Sequence, residues 1–188
     1  MIALLIACAG EAEKASAPPP SRVDAVVAAP KKEARVEDFC EQLPKPEEAK
    51  TFALPEIDGP PMAKGTAWTW VNVWATWCGP CIEEMPRLLR WQAKLAKEGV
   101  DVAFWFLSVD AKAEEVSRFK DKHPEAPPTM RLAKIEDLAG WLGSVGLDAS
   151  AVLPIHLLVD PEQRIRCTRM GSVSEEDYDV VKRVVSGS

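Results

Sequence analysis

The chain of 188 residues has no surplus of basic residues, with 23 Lys and Arg against 29 Asp and Glu and a formal net charge of −6. A protein that follows a phosphate backbone needs a basic surface, so the composition argues against a nucleic-acid partner. No stretch reaches the roughly 18–20 apolar residues of a spanning helix, which excludes a polytopic membrane protein. With two histidines and five cysteines, the chain has few ligands for a metal centre, and we expect none.

Hydrophobic residues make up 47% and charged residues 28% of the chain, a balance that supports a packed core. The length suits one domain of about 100–150 residues plus a tail. Residues 9–40 are rich in Ala, Pro, Lys and Glu and show no regular periodicity, so we interpret them as a disordered tether. A helical arm of the domain is the alternative. The predicted folded domain covers residues 41–188.

The first eight residues are an apolar run followed by Cys8. Leu5-Ile6-Ala7-Cys8 resembles a bacterial lipobox, in which the signal segment is removed and the new N-terminal cysteine is acylated. A secretory signal requires a Lys or Arg before the apolar run, and this chain has none there. An ordinary N-terminal segment that carries a cysteine is therefore the alternative. We expect a signal segment at 1–8, lipidation at Cys8, and a lipid anchor on the periplasmic side of a bacterial membrane.

Strand-like and helical patterns alternate from about residue 50 onward. Strands are predicted at 51–57 (or an extended lead-in there), 67–75, 102–109, 129–133, 155–159 and 165–170. Helices are predicted at 80–98, 113–122, 135–145 and 174–186. The last two strands flank the turn Asp160-Pro161-Glu162-Gln163 and suit an antiparallel hairpin. This order predicts an α/β fold with a mixed central sheet flanked by helices.

Two cysteines, separated by Gly79 and Pro80, stand where an apolar strand ends and a helix begins. A helix N-terminus carries partial positive charge and unpaired N–H groups, so a thiolate there is stabilised and its pKa falls from about 8.5 toward 7. We expect Cys78 to be the accessible thiol. Cys81 follows nearly one turn later on the same side, within disulfide reach. Pro80 suits the first helical turn, and Gly79 lets the tight ring close.

A structural zinc site and an inert disulfide are the alternatives for this pair. A zinc site needs four ligands, usually from a second paired Cys or His motif, and His123 and His156 are isolated in the sequence. We therefore predict a redox-active disulfide between Cys78 and Cys81 that works without another cofactor.

The segment Val71-Asn72-Val73-Trp74-Ala75-Thr76-Trp77-Cys78-Gly79-Pro80-Cys81 resembles thioredoxin-fold proteins of the TlpA/ResA group, which are exported, membrane-tethered thiol-disulfide oxidoreductases. The resemblance covers about residues 50 to 187. It implies a thioredoxin-like fold with a strand-helix insertion, which we place at 129–145. It also implies a cis-proline at Pro154, beside a Leu153 backbone that pairs with substrate. An ordinary proline at the start of a strand is the alternative.

Three further residues near the dithiol follow from this resemblance. Glu84 resembles the helix Glu that the ResA-like branch holds near its cysteines, as a proton acceptor or pKa tuner; a solvated first-turn Glu is the alternative. Asn72 stands where thioredoxin has a buried Asp, so no carboxylate there relays protons. Trp77 flanks the dithiol and is expected either to form an apolar rim for substrate or only to shield the site. His156 is expected to be an ordinary strand residue, and a role in proton transfer is the alternative.

Cys40 and Cys167 remain after the lipidated cysteine and the dithiol are assigned. Two cysteines left over in an oxidising compartment suggest a second, structural disulfide, which would link the end of the tether to the hairpin. The alternative is that Cys167 is simply a core residue.

The function implied by the resemblance is reduction of disulfides in exported proteins, with cytochrome c maturation as one task of the group. Cys78 attacks the substrate disulfide, Cys81 resolves the mixed disulfide, and a membrane electron donor restores the dithiol. Gly-Pro between the cysteines is the dipeptide of reducing thioredoxins, which favours a reductase. A disulfide oxidase or isomerase and a non-catalytic thioredoxin-fold binding module are the rival functions. We expect a monomer.

Overall fold

The computed structural model describes residues 35–59 and 67–187. The strands of this part are β1 Ile57–Asp58, β2 Trp68–Trp74, β3 Val102–Ser108, β4 Thr129–Leu132, β5 Ile155–Val159 and β6 Ile165–Met170. Its α-helices are α1 Val36–Phe39, α2 Gly79–Lys97, α3 Ala113–Lys122, α4 Leu138–Ser144 and α5 Tyr178–Ser186. Short 3₁₀ turns at Ile135–Asp137 and Glu175–Asp177 lead into α4 and α5.

The strands form one six-stranded sheet in the order β1-β4-β3-β2-β5-β6. β3 pairs parallel with both β2 and β4, while β5 runs antiparallel to β2 and β6 antiparallel to β5. The parallel pair β2 and β3 requires a long crossover, which α2 supplies. The prediction of an α/β, thioredoxin-like fold with a mixed sheet is confirmed, as is the antiparallel hairpin.

The predicted first strand is shorter than expected. Strand pairing is limited to Ile57–Asp58, with one isolated bridge between Thr51 and Arg164. Pro55 stands inside the predicted range, where its missing N–H and its effect on the preceding residue disfavour a continuous ladder.

The folded domain begins before residue 41, so the predicted tether extends too far. Val36–Phe39 is a short helix with Phe39 only 3% exposed, and Cys40 is bonded to Cys167. Burial of Phe39 and this covalent link hold residues 36–40 on the domain. The prediction missed this because it used the average composition of residues 9–40, in which a single buried residue and a single cysteine carry little weight. The predicted signal segment at 1–8, with Cys8, and the tether up to residue 34 lie outside the described residues.

Helix α2 packs on the sheet through side chains that recur every three or four positions. Its buried residues are Cys81, Glu84, Met85, Leu88, Trp91 and Leu95. This spacing defines one helix face, and Glu84 lies on it among apolar neighbours. The same face therefore holds the second cysteine of the motif and a carboxyl group next to the core. No helix in the described ranges has the length and hydropathy to span a membrane.

Candidate active site

Cys78 and Cys81 form a disulfide at the N-terminus of α2. Their Cα atoms are 5.3 Å apart, and Cys78 is the N-cap residue of the helix. The backbone N–H of Cys81 donates to Cys78 Sγ at 3.3 Å. Cys78 is 6% exposed and Cys81 is fully buried, so the first sulfur is the one nearer to solvent. In the reduced state, the same N–H and the helix dipole stabilise a thiolate at Cys78.

The turn that carries Cys78 is held by a buried carboxylate at the end of β3. The Thr76 backbone N–H donates to Asp110 Oδ1 at 3.1 Å and to Oδ2 at 3.0 Å, and Thr76 Oγ1 donates to Oδ1 at 2.7 Å. Ser108 Oγ donates to Oδ2 at 2.7 Å. Asp110 was missed by the sequence analysis. The sequence signal for Asp110 was a polar residue that follows an apolar strand, β3. This strand is parallel to β2, which leads to the cysteines.

Glu84 lies on the same buried face of α2 as Cys81, with 1% of its surface exposed. Its Oε1 accepts from Asn72 Nδ2 at 2.9 Å, and its Oε2 accepts from the backbone N–H of Val173 at 3.0 Å. Burial raises the pKa of Glu84 from its ordinary 4.5 to about 7, against the opposing effects of these two donors and of Arg87 and Arg169. The carboxyl therefore changes its charge near neutral pH. A solvated first-turn glutamate does not fit this position.

The raised pKa predicts that protein stability falls as the pH rises from 4.5 to about 7. Over this interval the unfolded chain releases the Glu84 proton while the folded chain keeps it. At about 1.4 kcal/mol per pH unit, the loss is roughly 3 kcal/mol. Glu84→Gln is expected to remove this slope, as measured by urea unfolding across the interval. Glu83→Gln, next along the helix, is the control. An unchanged slope in Glu84→Gln would show that another group titrates.

The start of β5 lies at the end of the sheet where β2 ends. Ile155 pairs with Val73 near the end of β2, and the Leu153–Pro154 peptide bond is cis. The Pro154 carbonyl accepts from the Gly171 N–H at 2.8 Å. The sheet therefore brings Pro154 to the end from which the Cys78 turn leaves.

Exposed apolar side chains lie next in sequence to both parts of the site. Trp77, directly before Cys78, is 70% exposed, and Val152, directly before Leu153, is 62% exposed. Leu153 is half-buried. The exposure of Trp77 fits an apolar rim better than a shield, because a shielding ring would itself be covered by its neighbours.

The second pair of cysteines also forms a disulfide. Cys40 and Cys167 have Cα atoms 5.3 Å apart, and they are 6% and 1% exposed. The bond links the residue that follows α1 to β6 at the edge of the sheet. The two disulfides are buried to the same degree. What distinguishes the Cys78–Cys81 bond is its place at the N-terminus of α2, where the Cys81 N–H donates to Cys78 Sγ.

The model of the AhpC/TSA family matches residues 34–168 of this chain. Thioredoxin-like protein YneN of Bacillus subtilis (strain 168) is 33% identical over 81 residues, which are 41% of this chain and 47% of that protein. The chain thus aligns with about half the length of this curated relative.

Solved structures share the fold. A thiol:disulfide interchange protein of the thioredoxin family from Chlorobium tepidum TLS has a TM-score of 0.53 at 22% identity, covering 74% of this chain and 93% of that one. A secreted thiol-disulfide isomerase from Corynebacterium glutamicum has a TM-score of 0.52 at 19% identity, covering 64% and 72%. At these identities the likeness establishes the fold.

Proposed function

We propose that this chain, which belongs to the AhpC/TSA family, is a thiol-disulfide oxidoreductase that reduces disulfides in exported proteins. The observation that carries the proposal is the Cys78–Cys81 disulfide at the N-terminus of α2, with the Glu84 carboxyl on the same buried helix face. Such a pair exchanges electrons as a unit, and the buried carboxyl is suited to take the proton that exchange releases.

The first step is attack by the reduced Cys78 thiolate on one sulfur of the substrate disulfide. A new bond forms between Cys78 and that sulfur, and the other substrate sulfur leaves as a thiolate. The N–H of Cys81, which points at Cys78 Sγ, stabilises the nucleophile before the attack. The exposed Trp77 and the Leu153 backbone supply the surface on which an extended substrate segment lies.

The second step releases the reduced substrate. The Cys81 thiol gives its proton to the Glu84 carboxylate, and the Cys81 thiolate attacks Cys78 Sγ. The Cys78–Cys81 bond forms, the mixed disulfide breaks, and the substrate sulfur leaves as a thiolate. Two electrons have then passed from the dithiol to the substrate, and the substrate thiolates take their protons from water.

We place this reaction outside the cytoplasm of a bacterium, on a lipid anchor at Cys8, with a membrane electron donor that reduces the Cys78–Cys81 disulfide again. The buried Cys40–Cys167 disulfide supports an oxidising compartment, because such bonds persist there. Cytochrome c maturation and the clearing of disulfides from other envelope proteins are the candidate tasks. The chain is proposed to act as a monomer.

The direction of exchange is tested by the reduction potential of the Cys78–Cys81 couple. A reductase is expected to equilibrate near the value of thioredoxin, about −270 mV, and to reduce insulin with dithiothreitol as electron source. A potential near that of strong periplasmic oxidants, about −120 mV, would instead favour the oxidase or isomerase. Absence of turnover in both directions would favour the binding module.

Removal of the indole at position 77 tests the substrate rim. Trp77→Ala is expected to lower kcat/KM for a protein disulfide about tenfold, because an exposed tryptophan at a binding surface contributes more than most contacts. Turnover of a small disulfide such as oxidised glutathione is expected to change little. Since Trp77 is 70% exposed, the free energy of unfolding should stay within about 0.5 kcal/mol. An equal loss of kcat/KM with the protein disulfide and with oxidised glutathione would argue against a substrate rim at Trp77.

A further inference from the structure

His156 on β5 is buried beside the Glu84 carboxyl. Its Nε2 lies 3.5 Å from Glu84 Oε1, and both side chains are 1% exposed. It stands two positions after Pro154, so the strand that follows the cis-proline also carries the imidazole. A polar ring enclosed in this way needs hydrogen-bond partners, and those partners determine which ring nitrogen holds the proton.

The tautomer follows from two donors at Nδ1. The Trp70 indole Nε1 donates to His156 Nδ1 at 3.1 Å, and Asn72 Nδ2 lies 3.5 Å from the same atom. Because an indole nitrogen only donates, Nδ1 is the acceptor and the ring proton is on Nε2. Within residues 35–59 and 67–187, Nε2 has no hydrogen-bond partner, and the carboxylate oxygen Glu84 Oε1 lies 3.5 Å from it.

The charged groups around this pair favour a neutral ring. Burial, and then Arg169 on β6, lower the pKa of His156 to about 3, against a smaller opposing effect of the Gly171 backbone. Arg87 on α2 and Arg169 also face Glu84 and lower its pKa. The imidazole therefore stays uncharged at physiological pH, accepting at Nδ1 and carrying its proton on Nε2, while Glu84 is the group that titrates.

We propose that His156 is a positioning residue of the active site, whose Nε2–H stabilises the ionised form of Glu84 and so sets the pH at which Cys81 can release its proton. The ionised carboxylate then has two hydrogen-bonded N–H donors, from Asn72 and Val173, and the Nε2–H of His156 as a third positive dipole 3.5 Å away. When the Cys81 proton moves to Glu84, the imidazole keeps its own proton and its neutral state. The consequence for exchange rests on the proposed function, but the electrostatic effect of His156 on Glu84 does not.

The test follows the Glu84 carboxyl through a pH titration by ¹³C NMR in the full chain. His156→Leu removes the donor and is expected to raise the Glu84 midpoint by about one pH unit. His156→Gln keeps an amide N–H near the Nε2 position and is expected to restore most of that shift. His123→Gln, at the other histidine of the chain, is the matched control and is expected to change nothing. An unchanged midpoint in His156→Leu would overturn the inference.

A measurement on the unaltered protein covers the case in which the leucine variant does not fold. The ¹⁵N shifts of His156 are expected to show a proton on Nε2 and to move with the Glu84 midpoint. A proton on Nδ1, or shifts that ignore that titration, would overturn the inference. The ¹⁵N shifts and the carboxyl titration can be measured without turnover. If the protein were inactive but showed the expected coupling, the proposed function would be rejected while the effect of His156 on Glu84 would stand.

Discussion

Cys78→Ser is expected to lower the rate of insulin reduction to that of dithiothreitol alone. Cys78 is the more exposed cysteine of its pair and the one whose sulfur accepts the helix N–H, so it is the thiol placed to start the exchange. A serine hydroxyl is not ionised near neutral pH and cannot replace it. The measurement is the turbidity assay for reduced insulin at equal protein concentration.

Cys81→Ser gives a different result, because the first attack remains possible and the resolving attack does not. The variant should accumulate as a mixed disulfide with its substrate, visible as a reductant-sensitive band and identified by mass spectrometry. Cys8→Ser is the matched control, since it removes a cysteine that the mechanism does not use. Residual turnover in Cys78→Ser above the dithiothreitol rate would show that the nucleophile is misassigned.

Loss of the Cys40–Cys167 bond is expected to be strongly destabilising. The bond closes a loop with a sequence separation of 127, for which the chain-entropy model gives about 5 kcal/mol. It also fixes a segment that covers the edge strand β6, where Glu41 N–H donates to the Thr168 carbonyl at 2.8 Å and Thr168 N–H donates to the Gln42 carbonyl at 3.0 Å.

The measurement is urea unfolding of the Cys40→Ser/Cys167→Ser variant. Cys78→Ser/Cys81→Ser is the control, because its short loop gives only about 2 kcal/mol by the same relation. If the two variants lose the same free energy of unfolding, then strain or denatured-state structure, not loop closure, determines what the Cys40–Cys167 bond contributes.

The sequence predicts the elements of this fold well because its signals are local. Alternation, helical spacing and turn residues define α3, β5 and β6 with the bounds that the structure has. The cysteine pair could be found in the same way, since its chemistry follows from two residues at the start of one helix. Glu84 also carries a local signal, because it shares a helix face with Leu88 and Leu95.

Residues whose roles depend on distant partners could not be found in this way. His156 reads as an ordinary strand residue until the register sets it opposite Asn72 and places Trp70 at its Nδ1. Asp110 gains its role only when β3 lies beside the Thr76 turn. Contacts of this kind join elements far apart in the chain, so periodicity and spacing do not identify the partners.

The ionisation of Cys78 is the property on which the whole account depends. It is measured most directly by the pH dependence of alkylation in the Cys8→Ser/Cys81→Ser variant, with the Cys40–Cys167 disulfide left intact, so that Cys78 is the one free thiol. The account predicts a midpoint at least one pH unit below the value of about 8.5 for free cysteine. A midpoint at or above 8.5 would show that the helix N-terminus does not activate this sulfur, and would contradict it.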